Sequence, residues 1–209
     1  MSTPFVVEDQ NFIRISASHS CRISFRSDLP RLALISSFMT ETECQNVIYL
    51  AQERLNVSAV IAPTGVGSAI SNHRSSYDVS FGLGESELIS ILDDRIAHVC
   101  NWDAKKSTGW QVIRYRSHEY FAPHFDFLPP ELVEASGGTQ RVASVIVYLN
   151  DVEVGGTTVF PDAGMTIVPE LGTALFFSYK SPRRASMTYH AGSAPLSGEK
   201  WIAVKWFTL

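Results

Sequence analysis

The sequence is poor in cysteine, and it has no long apolar run. Its three cysteines, Cys21, Cys44 and Cys100, are too few and too widely spaced for a disulfide framework. We expect them to be buried free thiols in a reducing compartment. No run approaches the roughly 18 apolar residues that a membrane-spanning helix needs, and MSTPFVVEDQ at the start lacks the basic segment and apolar core of a signal peptide. These absences predict a cytoplasmic protein with no membrane partner.

Charge of either sign is also scarce. Charged residues make up 18% of the chain, hydrophobic residues make up 45%, and the formal net charge is −4. This composition is typical of a soluble globular protein, and it gives no electrostatic reason to bind nucleic acid or an anionic membrane. A length of 209 residues suits a single domain over residues 1–209 that can bury a sizeable core.

Two segments in the first half have the apolar spacing of amphipathic helices. The first, TETECQNVIYLAQERL, begins with Thr40 and Glu43 in the arrangement of a capping box, in which each side chain satisfies a free backbone amide. The second is ESELISILDDRIAHVCNW. The stretch between them, APTGVGSAISN, contains glycine and serine and is predicted to be an exposed loop.

The second half consists of short β-branched and aromatic runs separated by turn signals. The runs are WQVIRY, RVASVIVYLN, TTVF, TIVP, TALFFSY and KWIAVKWF. Their spacing predicts an antiparallel sandwich or barrel. We therefore expect an α+β fold in which a helix-rich part, about residues 1–109, packs on the outside of a β core, about residues 110–209.

One polar pair stands among aromatic residues in RYRSHEYFAPHFDFLPP. On a strand, His124 and Asp126 would project from the same face and could share a metal ion. A third ligand is available in HAGSAPLSGEKWIAVKWF, where His190 and Lys200 each lie five residues from Pro195. A hairpin centred on Pro195 would bring this histidine and this lysine opposite each other on adjacent strands.

Two imidazoles and one carboxylate leave open positions on a metal, as in non-haem Fe(II) oxygenases. A zinc hydrolase could use the same ligand types. Lys200 favours the oxygenase, because an inward lysine beside a ligand can neutralise the distal carboxylate of a dicarboxylic keto acid.

The second half resembles the prolyl 4-hydroxylase branch of the 2-oxoglutarate and Fe(II)-dependent dioxygenases. The matching stretches are YRSHEYFAPHFDF, RVASVIVYLNDVEVGGTTVFP, GTALFF and HAGSAPLSGEKWIAVKWF, with a weaker match at SNHRSSYDVSF. The resemblance implies a double-stranded β-helix, or jelly-roll, core. It also implies that His124, Asp126 and His190 bind iron and that Lys200 and Tyr115 bind 2-oxoglutarate.

The same resemblance implies Fe(II) as cofactor, 2-oxoglutarate and dioxygen as cosubstrates, and ascorbate as a further candidate cofactor. Two more residues are candidates for the cosubstrate pocket, namely Tyr148 and Thr158, while core packing is an equal alternative for both. The carboxylate at Asp126 favours hydroxylation, since halogenating relatives have a small residue at that position.

The expected substrate is a prolyl residue, free proline or a related amino acid unit, hydroxylated on an aliphatic carbon. Four residues match substrate-groove positions of the peptidyl-proline hydroxylases, namely Arg74, Ser76, Arg141 and Trp206. Two positions depart: Phe121 replaces a tyrosine and Thr208 a histidine. The less polar Phe121 favours a smaller or more apolar target, so hydroxylation or desaturation of a small natural product stays open, as does a non-catalytic metal-binding sensor.

Overall fold

The computed structural model describes residues 4–6, 10–61, 68–136 and 138–209. The described residues form fifteen strands, most of them short. In chain order they are β1 (Phe12–Arg14), β2 (Ser20–Asp28), β3 (Arg31–Ser36), β4 (Asn56–Val57), β5 (Val60–Ile61), β6 (Ser68–Ala69), β7 (Tyr77–Phe81), β8 (Trp110–Tyr115), β9 (Phe121–His124), β10 (Arg141–Tyr148), β11 (Thr158–Phe160), β12 (Met165–Ile167), β13 (Ala174–Ser178), β14 (His190–Gly192) and β15 (Lys200–Thr208). The helices are α1 (Glu41–Gln52), α2 (Glu87–Val99) and α3 (Pro130–Ser136), with 3-10 turns at Pro161–Ala163 and Arg184–Ser186.

The strands of the described residues pair antiparallel in a large sheet, a small sheet and a short hairpin. The large sheet has nine strands in the order β1-β2-β3-β13-β10-β15-β8-β7-β4. The small sheet has four strands in the order β12-β11-β14-β9, and β5 pairs with β6. In the centre of the large sheet, the neighbouring strands β3, β13, β10, β15 and β8 come from distant parts of the chain, which is the pattern of a jelly roll and not of a meander.

Two buried clusters lie on the two faces of the large sheet. One lies between the sheets and includes Ile113, Ile146 and Ile202 from the large sheet with Phe160 and Ile167 from the small one. The other packs the opposite face of the large sheet against α1 and α2. The helices therefore cover the outside of the large sheet, and the space between the sheets is left for the site.

The helix starts follow their sequence signals. The predicted capping box of α1 is confirmed, because Thr40 N donates to Glu43 Oε2 over 2.8 Å and Glu43 N donates to Thr40 Oγ1 over 3.2 Å. Glu43 also binds Arg95 of α2, with 2.6 Å between Oε1 and Nη2. Because both partners are mostly buried, this pair fixes one helix against the other.

The fold departs from the sequence-based prediction in the first half. That part was expected to be rich in helices, yet β1, β2 and β3 occupy much of residues 12–36 and β7 joins the large sheet. The predicted loop at residues 62–72 lies partly outside the described residues, from 62 to 67. The three cysteines are buried and free, as expected. Within the described ranges, every helix is too short or too polar to cross a bilayer.

Candidate active site

Three side chains that can hold a metal ion meet at one end of the small sheet. His124 is the last residue of β9, His190 is the first residue of β14, and the two are paired across these strands. Asp126 lies just beyond β9, with Oδ1 at 3.4 Å from His124 Nε2 and Oδ2 at 3.9 Å from His190 Nε2. One ligand atom from each residue lies within 4.8 Å of the others, which is compact enough for one shared ion.

Two geometric expectations about this site are wrong, although the residues do come together. Asp126 is not on a strand, because β9 ends at His124 and the carboxylate is supplied by the following loop. His190 and Lys200 do not face each other in a hairpin. β14 belongs to the small sheet, β15 belongs to the large sheet, and Lys200 pairs with Tyr115 of β8 instead.

Backbone carbonyls orient both imidazoles. His124 Nδ1 lies 2.9 Å from the carbonyl oxygen of Ala122, and His190 Nδ1 lies 3.0 Å from that of Thr188. Since a carbonyl only accepts, each Nδ1 donates the hydrogen, and each Nε2 keeps a lone pair toward the site. Metal-binding histidines are held in this way when the second nitrogen is anchored by the protein.

The protonation states of Asp126 and His190 also favour the binding of a cation. Burial raises the pKa of Asp126, but the neighbouring His190, His124 and Arg141 outweigh it and hold the pKa well below its usual value. Burial lowers the pKa of His190 to about 4. The site therefore presents an ionised carboxylate and a neutral imidazole near pH 7, which are the forms that bind metal.

Lys200 enters the space between the sheets from the opposite wall. Its side chain is 1% exposed, and its Nζ lies 5.6 Å from the centre of the Tyr115 ring and 5.8 Å from that of the Tyr148 ring. No described residue offers it a carboxylate or a hydrogen-bond acceptor. Burial alone lowers the pKa of Lys200 to about 7. A buried lysine without a partner fits an anionic ligand.

The other three cosubstrate candidates, Tyr115, Thr158 and Tyr148, lie at different places around Lys200. Tyr115 and Thr158 line the narrow cavity that joins Lys200 to the three candidate metal ligands. Tyr148 is fully buried, and its hydroxyl donates to Thr158 Oγ1 over 2.9 Å. Tyr148 therefore holds Thr158 in place from behind the cavity wall.

A cleft of about 760 Å³ opens beside the candidate metal ligands. Four of the substrate candidates line it, namely Arg74, Phe121, Arg141 and Trp206. Phe121 stacks on His124 with ring centroids 3.7 Å apart, and the Arg141 guanidinium carbon lies 4.0 Å from the centre of the Trp206 ring. Ser76 lies outside the cleft wall, where its Oγ accepts from Arg74 Nε over 2.9 Å and donates to Ser58.

The sequence analysis missed two polar residues in this cleft region. Gln111 lines both the cleft and the deeper cavity, and its Nε2 donates to Asp78 Oδ2 over 2.7 Å. Asp78 Oδ1 also lies 3.6 Å from Arg74 Nη2. The alternation of WQVIRY could have revealed Gln111, because it lies two and four residues before the inward Ile113 and Tyr115.

The matched family agrees with this site. The sequence profile of the 2OG-Fe(II) oxygenase superfamily matches residues 110–208. Prolyl 4-hydroxylase 5 of Arabidopsis thaliana is 30% identical over 199 residues, which cover 85% of this chain and 68% of that protein. Prolyl 4-hydroxylase subunit alpha-1 of Gallus gallus is 30% identical over 184 residues, which cover 86% of this chain and 36% of that protein.

A solved structure agrees with the sequence relatives. The viral collagen prolyl hydroxylase of Paramecium Bursaria Chlorella virus-1, in complex with 2OG, superposes with a TM-score of 0.66 at 29% identity over 84% of this chain and 94% of that chain.

Fold and site together define a 2-oxoglutarate- and Fe(II)-dependent dioxygenase with a double-stranded β-helix core. Within that class, the chain belongs to the prolyl 4-hydroxylase-like oxygenases. Its cofactor is Fe(II) and its cosubstrates are 2-oxoglutarate and dioxygen, and the unpartnered Lys200 and the compact His-Asp-His cluster fit that pair. This class replaces the zinc hydrolase and the metal sensor considered above. The use of ascorbate stays a prediction.

Proposed function

We propose that this enzyme hydroxylates an aliphatic carbon of a prolyl residue within a peptide. The observation that carries the proposal is the cleft of about 760 Å³ beside the metal-binding residues. Pockets for drug-sized molecules span roughly 300 to 1,000 Å³, so a free proline would leave most of this volume unfilled. The name of the viral relative, a collagen prolyl hydroxylase, supports a peptide as well.

In this proposal the residues that hold the cofactor come from the small sheet and the loop after β9, whereas the lysine that binds the cosubstrate comes from the large sheet. His124, Asp126 and His190 hold Fe(II), and Lys200 binds the distal carboxylate of 2-oxoglutarate. When Fe(II) and 2-oxoglutarate are bound together, they supply the oxidation of a C–H bond to an alcohol with dioxygen, with succinate and carbon dioxide as coproducts. Phe121 stacks against His124 and Phe160 against His190, so the surroundings of both imidazoles are apolar.

The walls of the cleft contain apolar side chains and hydrogen-bond donors that a peptide can contact. Their apolar part includes Phe125, Phe127, Leu128, Leu132 and Trp206, which can pack against a pyrrolidine ring and neighbouring side chains. Two buried donors of the cleft residues make no hydrogen bond within the described part of the chain: Trp206 Nε1, and Arg74 Nη2, whose charged contact is Asp78 Oδ1 at 3.6 Å. Peptide carbonyls can accept from both, which would remove the cost of leaving them unpaired.

The experiment compares succinate formation and product mass for proline-rich peptides, free proline, its ring homologues and other free aliphatic amino acids. We expect 2-oxoglutarate turnover coupled to a mass gain of one oxygen with a proline-rich peptide, and little coupling with free proline. The matched control is Lys200→Met, which removes the cosubstrate contact and should abolish coupling with every substrate. Efficient coupling with a free amino acid alone would contradict the peptide proposal and favour the smaller target that Phe121 suggests.

A further inference from the structure

A hydrogen bond from Ser144 orients Asp126 from outside its own loop. Ser144 Oγ donates to Asp126 Oδ2 over 2.6 Å, and Ser144 is fully buried. Asp126 follows the end of β9, whereas Ser144 lies in β10, which is flanked by β13 and β15 in the large sheet. A carboxylate on a loop is therefore anchored to a central strand.

This hydrogen bond gives the two carboxylate oxygens different surroundings. Oδ2 carries the bond from Ser144, while Oδ1 faces His124 Nε2 at 3.4 Å. The loop backbone is held as well, because Arg141 Nη1 donates to the carbonyl oxygen of Asp126 over 3.2 Å. A hydroxyl-to-carboxylate bond of this length is strong and occupies one of the two lone-pair sites of Oδ2. Oδ1 is therefore the more available oxygen for a metal.

We infer that Ser144 is a positioning residue that keeps Asp126 a one-oxygen metal ligand. The inference rests on the proposed function, because it takes His124, Asp126 and His190 as the iron ligands. Two imidazoles and one carboxylate oxygen leave half of an octahedral coordination sphere open, which a chelating keto acid and dioxygen require. A carboxylate that bound through both oxygens would occupy one of these positions and compete with the keto acid.

The test measures binding and needs no substrate. Calorimetric titration gives the Mn(II) affinity of the wild type, Ser144→Ala and Ser144→Thr, and then the 2-oxoglutarate affinity of each Mn(II)-loaded protein. We expect Ser144→Ala to weaken Mn(II) binding by about tenfold to a hundredfold, as losses of an outer partner usually do. Its 2-oxoglutarate affinity should fall as well. Ser144→Thr keeps the hydroxyl and should stay within about threefold of the wild type.

Ser178→Ala is the matched control. Ser178 is a second buried hydroxyl, in β13, and its Oγ has no hydrogen-bond partner among the described residues. It pairs with Ala143, whose side chain packs on the helix side of the sheet, so both affinities should be unchanged. If Ser144→Ala did not fold, Ser144→Cys, a much weaker donor of similar size, would replace it with the same expectation.

Two results would overturn the inference: equal affinities in Ser144→Ala and the wild type, or equal losses in Ser144→Ala and Ser144→Thr. Failure of the wild type to bind Mn(II) at all would refute the metal site itself and the inference with it. A negative result with prolyl peptides would refute only the proposed substrate, because these titrations contain none.

Discussion

At the scale of single residues, Lys200 is buried, and no anionic partner for it lies among the described residues. Burial lowers its pKa to about 7, so the lysine loses its charge as the pH rises through neutrality. If the charged form binds the distal carboxylate, the 2-oxoglutarate affinity of the Mn(II)-loaded protein should fall about tenfold per pH unit above 7 and level off below it. Calorimetric titration between pH 6 and 9 measures this.

Lys200→Met provides the control for that pH dependence. The variant has no titrating group at this position, so its weak residual binding should not change between pH 7 and 9. A wild-type affinity that is flat over the same range would mean that the lysine does not bind the cosubstrate through its charge.

The metal-binding residues allow a second prediction at this scale. Alanine at His124, Asp126 or His190 removes one of three protein ligands, and a loss of bound iron and of turnover is expected for each variant. Metal analysis and succinate formation measure the two effects, while circular dichroism should report a folded protein. A variant that kept near-normal iron and succinate production would remove that residue from the assignment.

Sequence reasoning identified these residues but not their geometry. The HxD spacing alone was a weak signal, and the resemblance to the dioxygenase family is what singled out His124, Asp126 and His190 together; the fold does bring these three side chains together. The position of Asp126 beyond β9 was not predictable, since strand ends depend on pairing with distant segments. Ser144 and Gln111 belong to alternating patterns, but their partners come from other elements and only the fold reveals them.

At the scale of elements, β15 carries two buried lysines on opposite faces. Lys200 faces the space between the sheets, whereas Lys205 faces the helices and its Nζ lies 2.8 Å from Asp93 Oδ1 of α2. Burial lowers the pKa of Lys205, and Asp93 opposes that shift. Trp110 Nε1 also donates to Asp93 Oδ1, so this carboxylate joins helix, strand and core. One strand thus carries two buried lysines: Lys205 is paired with a carboxylate, and Lys200 has no such partner among the described residues.

Substituting each lysine by methionine should therefore change stability in opposite directions. Lys205→Met leaves Asp93 buried without its cation, and we expect a loss of about 3 to 5 kcal/mol in the free energy of unfolding. Lys200→Met removes a buried charge that has no partner, and we expect a gain of roughly 1 to 2 kcal/mol together with lost cosubstrate binding. Urea denaturation measures the free energy of unfolding of both variants, and equal changes in the two would contradict this prediction.

The elements also show which features of the fold can be predicted from local sequence patterns. The runs WQVIRY and KWIAVKWF form β8 and β15, as expected. β15 alternates regularly, with Ile202 and Val204 toward the cavity and Ala203 and Phe207 toward the helices. The hairpin between His190 and Lys200 was wrong. A turn signal indicates that the chain reverses, but it does not determine which sheet the next strand joins.

At the scale of the whole molecule, the candidate residues for the cofactor and the cosubstrate come from both sheets. The two histidines belong to the small sheet, Lys200 belongs to the large one, and Ser144 ties the loop of Asp126 to the large sheet. The candidate residues therefore come together only when the jelly roll is closed. Tyr115 and Lys200 are also far apart in sequence, and they are paired because β8 lies next to β15 in the large sheet.

In the proposed site, 2-oxoglutarate would bind Lys200 of the large sheet at one end and the metal ion beside the small sheet at the other, and so would link the two sheets. Separating the sheets would then break both contacts, and the free energy of unfolding would include both binding free energies. At a hundredfold excess over its dissociation constant, a ligand adds about 2.7 kcal/mol to the free energy of unfolding. Calorimetric melting should give a larger rise in Tm with Mn(II) and 2-oxoglutarate together than the sum of their separate effects. Thermal resistance in this enzyme would then vary with the supply of its cosubstrate.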